Sequence, residues 1–191
     1  CIVETVAYVN DCKTKTTVYF FVHLVLTLGH MSYIFHSGYG YSKILCQDIT
    51  SWFVGEHFPR HKLEIDIVHR GMKRDGVFGW CDISSRNTSR PRKFLIEMQT
   101  HLDKETYMKT LLHELTHVAQ WIRGDLKLKH GKMCYCQEPV ENYDYVDQPH
   151  EIEAREQEEV LYQEYMNKDV PVEEVSQGWC NRLCGGVIIR K

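Results

Sequence analysis

The chain lacks the features that mark several large classes of protein. Its formal net charge is only −3 at pH 7, so the molecule as a whole has no drive towards nucleic acids or acidic membranes. The sequence shows no internal repeat and no low-complexity tract. Its apolar run at 18–28, which His23 interrupts, is about half as long as the roughly 20 residues that a membrane-spanning helix needs. What remains is the composition of a globular protein with one core, 43% hydrophobic and 26% charged over 191 residues.

The cysteines are not spaced like those of a small disulfide-rich scaffold. They are scattered along the chain, and a protein of this size can fold without covalent staples. Cys134 and Cys136 could join Cys180 and Cys184 in a structural zinc site, but such sites ordinarily pair two CxxC motifs. Free thiols in a reducing compartment are favoured, so a cytoplasmic location is expected.

The first 30 residues are interpreted as an extension outside the functional domain. The apolar run follows Lys13 and Lys15, as in a signal peptide that would make the protein secreted, but no small-x-small cleavage site follows. We favour a functional chain that begins at Met31, with the preceding residues as upstream translation or a fragment. The expected organisation is an N-terminal extension at 1–30, one domain at 31–167 and a peripheral tail at 168–191.

Hydrophobic periodicity predicts an α+β fold. Apolar residues at helical spacing predict a helix over 42–58, and apolar residues that alternate with charged ones predict a half-buried strand over 62–70. Further strands are expected at 76–84 and 94–99. A long helix follows from an Asp103 cap to Arg123, then a loop of about 24 residues and a last helix that opens at Pro149. The expected architecture is a small, mostly antiparallel sheet packed on these last two helices.

The long helix carries the motif His113-Glu114-Leu115-Thr116-His117. Residues four apart share one face of a helix, so both imidazoles of an HExxH motif can bind one ion. At 100° per residue the apolar residues of this helix fall on one side and both histidines on the other. The pattern predicts a zinc ion held by His113 and His117, with Glu114 as a general base.

A catalytic zinc ion usually takes a third protein ligand and keeps its fourth position for water. On the wheel of the last helix, Glu153 faces inward with Val160 and is flanked by Ala154 and Leu161, whereas Glu151 lies nearly opposite and points to solvent. A buried carboxylate is costly unless it is paired or binds a metal. Glu153 is therefore the favoured third ligand, and an ion pair with Arg123 or Arg155 is the alternative.

The chain resembles two groups of HExxH proteins. Its segments 110–124 and 145–155 are similar to small phage and bacterial zinc metallopeptidase-like proteins, in which a Pro-Trp-Glu-Ile-Glu-Ala-like motif follows the zinc helix, although His150 replaces the usual Trp. This similarity covers about 43–167 and implies a zincin-like fold, in the cytoplasm of a producing or phage-infected cell. His130-Gly131-Lys132 instead resembles the SprT-like metallopeptidases, whose third ligand is a histidine in this context, so His130 stays an alternative to Glu153.

The expected activity is zinc-dependent hydrolysis of peptide bonds. Tyr145 is the favoured hydrogen-bond donor to the developing oxyanion, and Tyr143 and Arg155 are the alternatives. The strand at 94–99 is expected to be a sheet edge on which an extended polypeptide substrate binds through main-chain hydrogen bonds.

Other functions stay open at this point. A peptidoglycan endopeptidase would use the same amide chemistry. A non-catalytic scaffold could bind nucleic acid through a basic cluster, although such clusters are ordinarily solvated loops, and neither nucleic-acid binding nor stable membrane association is expected. The cluster comprises Arg86, Arg90, Arg92 and Lys93.

Overall fold

The computed structural model describes residues 2–10, 17–27, 30–84 and 89–168, with the side chains of 32–84 and 89–168. In chain order its elements are β1 (Ile2–Asn10), β2 (Thr17–Thr27), β3 (His30–Gly38), α1 (Lys43–His57), β4 (Glu64–Arg70), β5 (Gly79–Ile83), β6 (Lys93–Gln99), α2 (Lys104–Arg123), β7 (Leu126–Lys129), β8 (Lys132–Tyr135), β9 (Glu138–Pro139) and α3 (Pro149–Met166). Two short 3₁₀ helices, Val140–Asn142 and Tyr145–Asp147, lie between β9 and α3. The predicted α+β class is confirmed.

The larger sheet has six strands in the order β1-β2-β3-β4-β6-β5. Its outer pairs β1–β2, β2–β3 and β5–β6 are antiparallel, whereas β3–β4 and β4–β6 are parallel. Parallel neighbours need a crossover connection, and α1 supplies it between β3 and β4. The sheet is therefore mostly antiparallel by number of pairings, as predicted, but parallel at its centre.

The prediction that strand 94–99 forms a sheet edge is wrong. β6 pairs with β4 on one side and with β5 on the other, so its main-chain groups are used within the sheet. Among the described strands, β5 pairs with β6 alone and forms the edge at this end. The sequence predicted β5 as a strand, but alternation does not tell on which side of a neighbour a strand pairs.

The core lies between the sheet and the helices. Alternate residues of β4 and β6 are fully buried, as their period of two predicts, and the apolar face of α2 packs against them. Leu111, Leu112 and Leu115 of α2 are all 0% exposed. This packing leaves the face of α2 that carries both histidines of the motif turned towards α3 and the edge strand β5.

The ends of the helices match the capping residues in the sequence. Ser42 and Asp103 accept hydrogen bonds from the backbone N–H groups of Leu45 and Thr106 at the starts of α1 and α2. Gly124 ends α2 in the left-handed conformation, with φ at 81°, and donates its N–H to the Gln120 carbonyl. The predicted boundaries of α2 are confirmed.

The segment between α2 and α3, predicted as a loop of about 24 residues, contains short strands and helices. Strands β7, β8 and β9 form a small antiparallel sheet, and the two 3₁₀ helices follow. Strands of two to four residues are too short to produce a recognisable alternation of apolar and polar residues, so the sequence did not predict them.

The predicted N-terminal extension contains β1 and β2, which pair with each other and, through β2, with β3. Of the predicted C-terminal tail at 168–191, only Lys168 is described, and its Nζ lies 2.5 Å from Oδ2 of Asp48 in α1. Residues 169–191 lie outside the described residues. None of the helices in the described part of the chain combines the length and the apolar character needed to cross a membrane.

Candidate metal centre

Two helices bring three ligand groups together. His113 and His117 project from α2, and Glu151 projects from the first turn of α3. The Glu151 carboxylate lies 3.3 Å from Nε2 of His113 and 3.4 Å from Nε2 of His117. One ligand atom from each residue falls within 4.8 Å of the others, and no other group of this kind occurs in the described residues.

The spacing of these atoms fits a small divalent ion. Ligand atoms at about 2.1 Å from a tetrahedral zinc ion lie about 3.4 Å from one another, and Oε2 and Oε1 of Glu151 lie 3.3 and 3.4 Å from Nε2 of His113 and of His117, respectively. Two imidazoles and one carboxylate are also a ligand set that zinc accepts in catalytic sites. The group can therefore hold a metal ion, and its chemistry suits zinc.

A hydrogen bond orients each histidine from its other ring nitrogen. Nδ1 of His113 lies 3.2 Å from a carboxylate oxygen of Glu158, and Nδ1 of His117 lies 2.9 Å from Oε1 of Gln120. Such partners fix the ring orientation and leave Nε2 for the metal. The sequence did not predict these roles of Gln120 and Glu158. The available signal was their spacing, three residues after His117 and seven after Glu151.

Burial and charge set the protonation of the three groups when no ion is bound. Burial lowers the pKa of His113, but hydrogen bonds with Glu151 and Glu158 outweigh it and raise this pKa to about 9. Burial lowers the pKa of His117 to about 4. Burial opposes ionisation of Glu151, yet the neighbouring histidines lower its pKa overall. Metal binding must therefore release a proton from His113 near neutral pH.

The structure does not bring Glu153 to the histidines. Its Oε1 accepts a hydrogen bond from Arg123 at 2.7 Å, and its Oε2 accepts from Gln120 at 2.8 Å and from Tyr135 at 2.6 Å. The predicted alternative, an ion pair with Arg123, is the arrangement observed.

The error came from the helical phase of α3. The predicted wheel centres the buried side on Glu153 and Val160, but Val160 is 47% exposed, whereas the flanking residues Ala154 and Leu161 are buried at 0% and 5%. A wheel centred on those two residues turns Glu151 towards α2. The prediction that Glu151 is solvated is therefore wrong, since it is only 6% exposed.

Glu114 lies beside the ligand group and is buried. Burial raises the pKa of Glu114 to about 8, and the charges of Glu151 and Glu158 push in the same direction while His113 opposes them. A Cβ added to Gly79 of β5 would clash with Oε1 of Glu114. The edge strand thus approaches Glu114 as closely as it does because position 79 has no side chain.

These residues share a cavity of about 310 Å³ between α2, α3 and the edge strand β5. One wall is apolar, and the other carries the ligand group. The lining residues are Gly79, Trp80, Cys81, His113, Glu114, His117, Trp121, Leu126, Met133, Val140, Tyr145, Gln148, His150 and Glu151. A cleft with an apolar wall and a few convergent polar groups is typical of a ligand-binding site.

Tyr145 lines this cavity, and Tyr143 and Arg155 do not. Burial raises the pKa of Tyr145, and the charges of Glu151 and Glu114 add to the effect. Its phenol therefore stays protonated and can donate a hydrogen bond at neutral pH. Arg155 instead donates to the Val146 carbonyl, and Tyr143 is 40% exposed.

The other predicted candidates lie away from the ligand group. His130 is exposed at the tip of the β7–β8 hairpin, in the left-handed conformation with φ at 52°, and it is not part of the group. In the basic cluster, Lys93 is paired with Glu64 and Arg86 is outside the described residues.

The cysteines whose side chains are described are all free thiols: Cys46, Cys81, Cys134 and Cys136. Cys180 and Cys184 lie outside the described residues, so the possible second zinc site is not tested. Cys81 lines the cavity, and burial, followed by the charge of Glu114, raises its pKa well above the ordinary value. Its thiol is therefore protonated and a poor nucleophile at neutral pH.

No protein-family model matches the chain, and comparison with curated proteins and with solved structures gave no match.

Proposed function

We propose that the protein is a zinc-dependent metallopeptidase in which His113, His117 and Glu151 hold the ion. The observation that carries the proposal is the position of Glu114, a buried carboxylate in the same cavity as the three ligand groups and not one of them. A purely structural ion has no need of such a group, whereas hydrolysis needs a base beside the attacking water.

Each side chain has a defined part in the reaction. A zinc ion bound there would act as a Lewis acid and lower the pKa of water to about 7. Glu114, buried in the same cavity, accepts the proton of the attacking water and passes it to the leaving amine. Tyr145, which lines the cavity and stays protonated, donates a hydrogen bond to the oxygen on which negative charge develops.

The edge strand β5 suggests how a substrate binds. Even-numbered residues of this region direct main-chain groups to β6: Gln99 donates to the Phe78 carbonyl, and Ser84 donates to the Lys93 carbonyl. Alternation along a strand then turns the main-chain groups of Gly79 and Cys81 to the free edge, beside the cavity. An extended polypeptide can pair with this edge and lay a peptide bond next to Glu114.

The test compares wild type with Glu114→Gln, a variant of nearly identical shape. Both proteins should bind zinc equally, because Glu114 is not a ligand. Zinc-loaded wild type should cleave an unfolded protein pool, and Glu114→Gln should be slower by about 10²- to 10⁴-fold. Equal cleavage by the two proteins, or zinc binding without cleavage by either, would overturn the proposal.

A further inference from the structure

Gln120 occupies a closed position between the two helices that carry the ligands. Its side chain is 0% exposed. Its amide nitrogen donates to the His150 carbonyl and to Oε2 of Glu153, each at 2.8 Å. Its amide oxygen lies 2.9 Å from Nδ1 of His117. Every polar atom of the amide is thus engaged.

The acceptors around Gln120 fix which way its amide points. A backbone carbonyl and a carboxylate only accept hydrogen bonds, so the NH₂ group must face His150 and Glu153. The amide oxygen therefore faces His117, and Nδ1 of His117 must carry the proton. Nε2 of His117 is left with its lone pair directed towards Glu151 and the metal position.

Glu153 is itself held in place. Arg123 donates to its Oε1 at 2.7 Å, and the Tyr135 hydroxyl donates to its Oε2 at 2.6 Å. Arg123 is also fixed by Asp125 at 2.7 Å. The chain of contacts runs from β8 and the end of α2, through Glu153 and Gln120, to a metal ligand.

We infer that Gln120 and Glu153 are positioning residues that select the tautomer of His117 competent for metal binding. They raise metal affinity without touching the ion, because the neutral ring needs no rearrangement before Nε2 binds. The inference rests on the proposed metal centre and gives Glu153 a role that differs from direct ligation.

Two variants separate this role from the simple charge of Glu153. Glu153→Gln keeps the shape but offers an NH₂ group, so the Gln120 amide can turn over. Gln120→Met keeps the net charge and removes the acceptor for Nδ1. Glu156→Gln serves as the control, since Glu156 is an exposed glutamate of the same helix.

The experiment measures the His117 tautomer by ¹⁵N NMR in zinc-free protein and the zinc dissociation constant by competition with a chelator. Wild type and Glu156→Gln should show the proton on Nδ1. Glu153→Gln and Gln120→Met should show mixed tautomers and bind zinc about 10-fold more weakly, within the range usual for such partners. Thermal unfolding confirms that each variant is folded.

Several results would contradict the inference. A wild-type His117 with its proton on Nε2 overturns the inference. This measurement uses the wild-type protein alone, so it does not depend on whether the variants fold. Weaker binding in Glu153→Gln but not in Gln120→Met shows an effect of charge alone and also overturns it. Failure of the proposed function looks different, because wild type would then bind zinc and cleave nothing while the tautomer results stand.

Discussion

At the scale of single residues, the structure brings the two histidines of the motif together with Glu151 of α3, and not with Glu153 as the sequence predicted. His113, Glu114 and His117 meet in one cavity, as the i, i+4 spacing predicted. Glu151 and Glu153 differ by two positions, which is about 200° on a helix, so the choice depended on which neighbours were taken as buried. Val160 is more apolar than Ala154, yet Ala154 is the one against the core. The packing of α3 against α2 decides which side of α3 is buried. The sequence pattern of α3 alone does not contain this information.

Gly79 gives a test of the close approach between β5 and Glu114. Gly79→Ala would bring its Cβ into a clash with Oε1 of Glu114, so the carboxylate must move. We expect peptide hydrolysis to fall by about 100-fold, the usual cost of misplacing a catalytic group by about 1 Å. Zinc content should not change.

Gly71→Ala is the matched control for this test. A Cβ at Gly71 meets open space and its φ is not in the left-handed region, so activity should be retained. Full activity in Gly79→Ala would show that the position of Glu114 does not matter as proposed.

His69 predicts a pH dependence of stability away from the metal centre. It is 1% exposed, with Nδ1 3.0 Å from the Ser37 carbonyl and Nε2 3.0 Å from the Tyr107 hydroxyl. Burial lowers the pKa of His69 to about 4, below the ordinary 6.5. The unfolded chain then binds a proton more readily than the folded one, so this contribution to stability is complete above pH 6.5 and is lost as the pH falls towards 4.

Urea unfolding at pH 7.5 and pH 5 measures this contribution. Wild type should lose about 2 kcal/mol through His69 over that interval. His69→Gln should be less stable at pH 7.5 but should show a decrease smaller by this amount. His130→Asn, at an exposed position, should behave as wild type. Parallel pH slopes in wild type and His69→Gln would contradict the assignment.

At the scale of elements, local signals located most helices and strands but not how they pair. Capping residues and periodicity located α1, α2, α3, β4 and β6. The position of β5 at the edge depends on strand pairing, which joins residues far apart in sequence. The short strands β7, β8 and β9 are stabilised by one another and by α2, not by a pattern of their own.

The edge strand yields a prediction about substrate binding. Trp80 is 50% exposed and lines the cavity, whereas the nearby Phe78 is 58% exposed and does not line it. Trp80→Ala should lower kcat/KM by about 10-fold through loss of aromatic contact with the substrate. Phe78→Ala should change it little. Steady-state kinetics on one peptide compares the two, and equal losses would contradict the placement of the substrate along this part of β5.

At the scale of the whole molecule, the ligand set joins two helices. His113 and His117 belong to α2, and Glu151 belongs to α3. An ion bound by all three must stabilise the packing of these helices, because it binds the folded chain and not the unfolded one. The order of the elements in the sequence predicted the α+β class. It did not predict the parallel pairing of β3 with β4, which depends on the crossover through α1.

Zinc should therefore raise the thermal stability of the protein. At a free zinc concentration of 100 times Kd, the gain is about 2.7 kcal/mol, which calorimetry resolves as a shift of several degrees in Tm. Glu151→Gln should show little or no shift under the same conditions. An unchanged Tm of wild type in saturating zinc would contradict a centre that joins the two helices.

The most direct test of the central claim is the zinc content of the purified protein after equilibration with zinc and removal of the free ion. Wild type and His130→Gln should each retain about one zinc per chain, because His130 is not part of the ligand group. Glu151→Gln should lose most of its zinc. Retention of zinc by Glu151→Gln, or its loss from His130→Gln, would contradict the account.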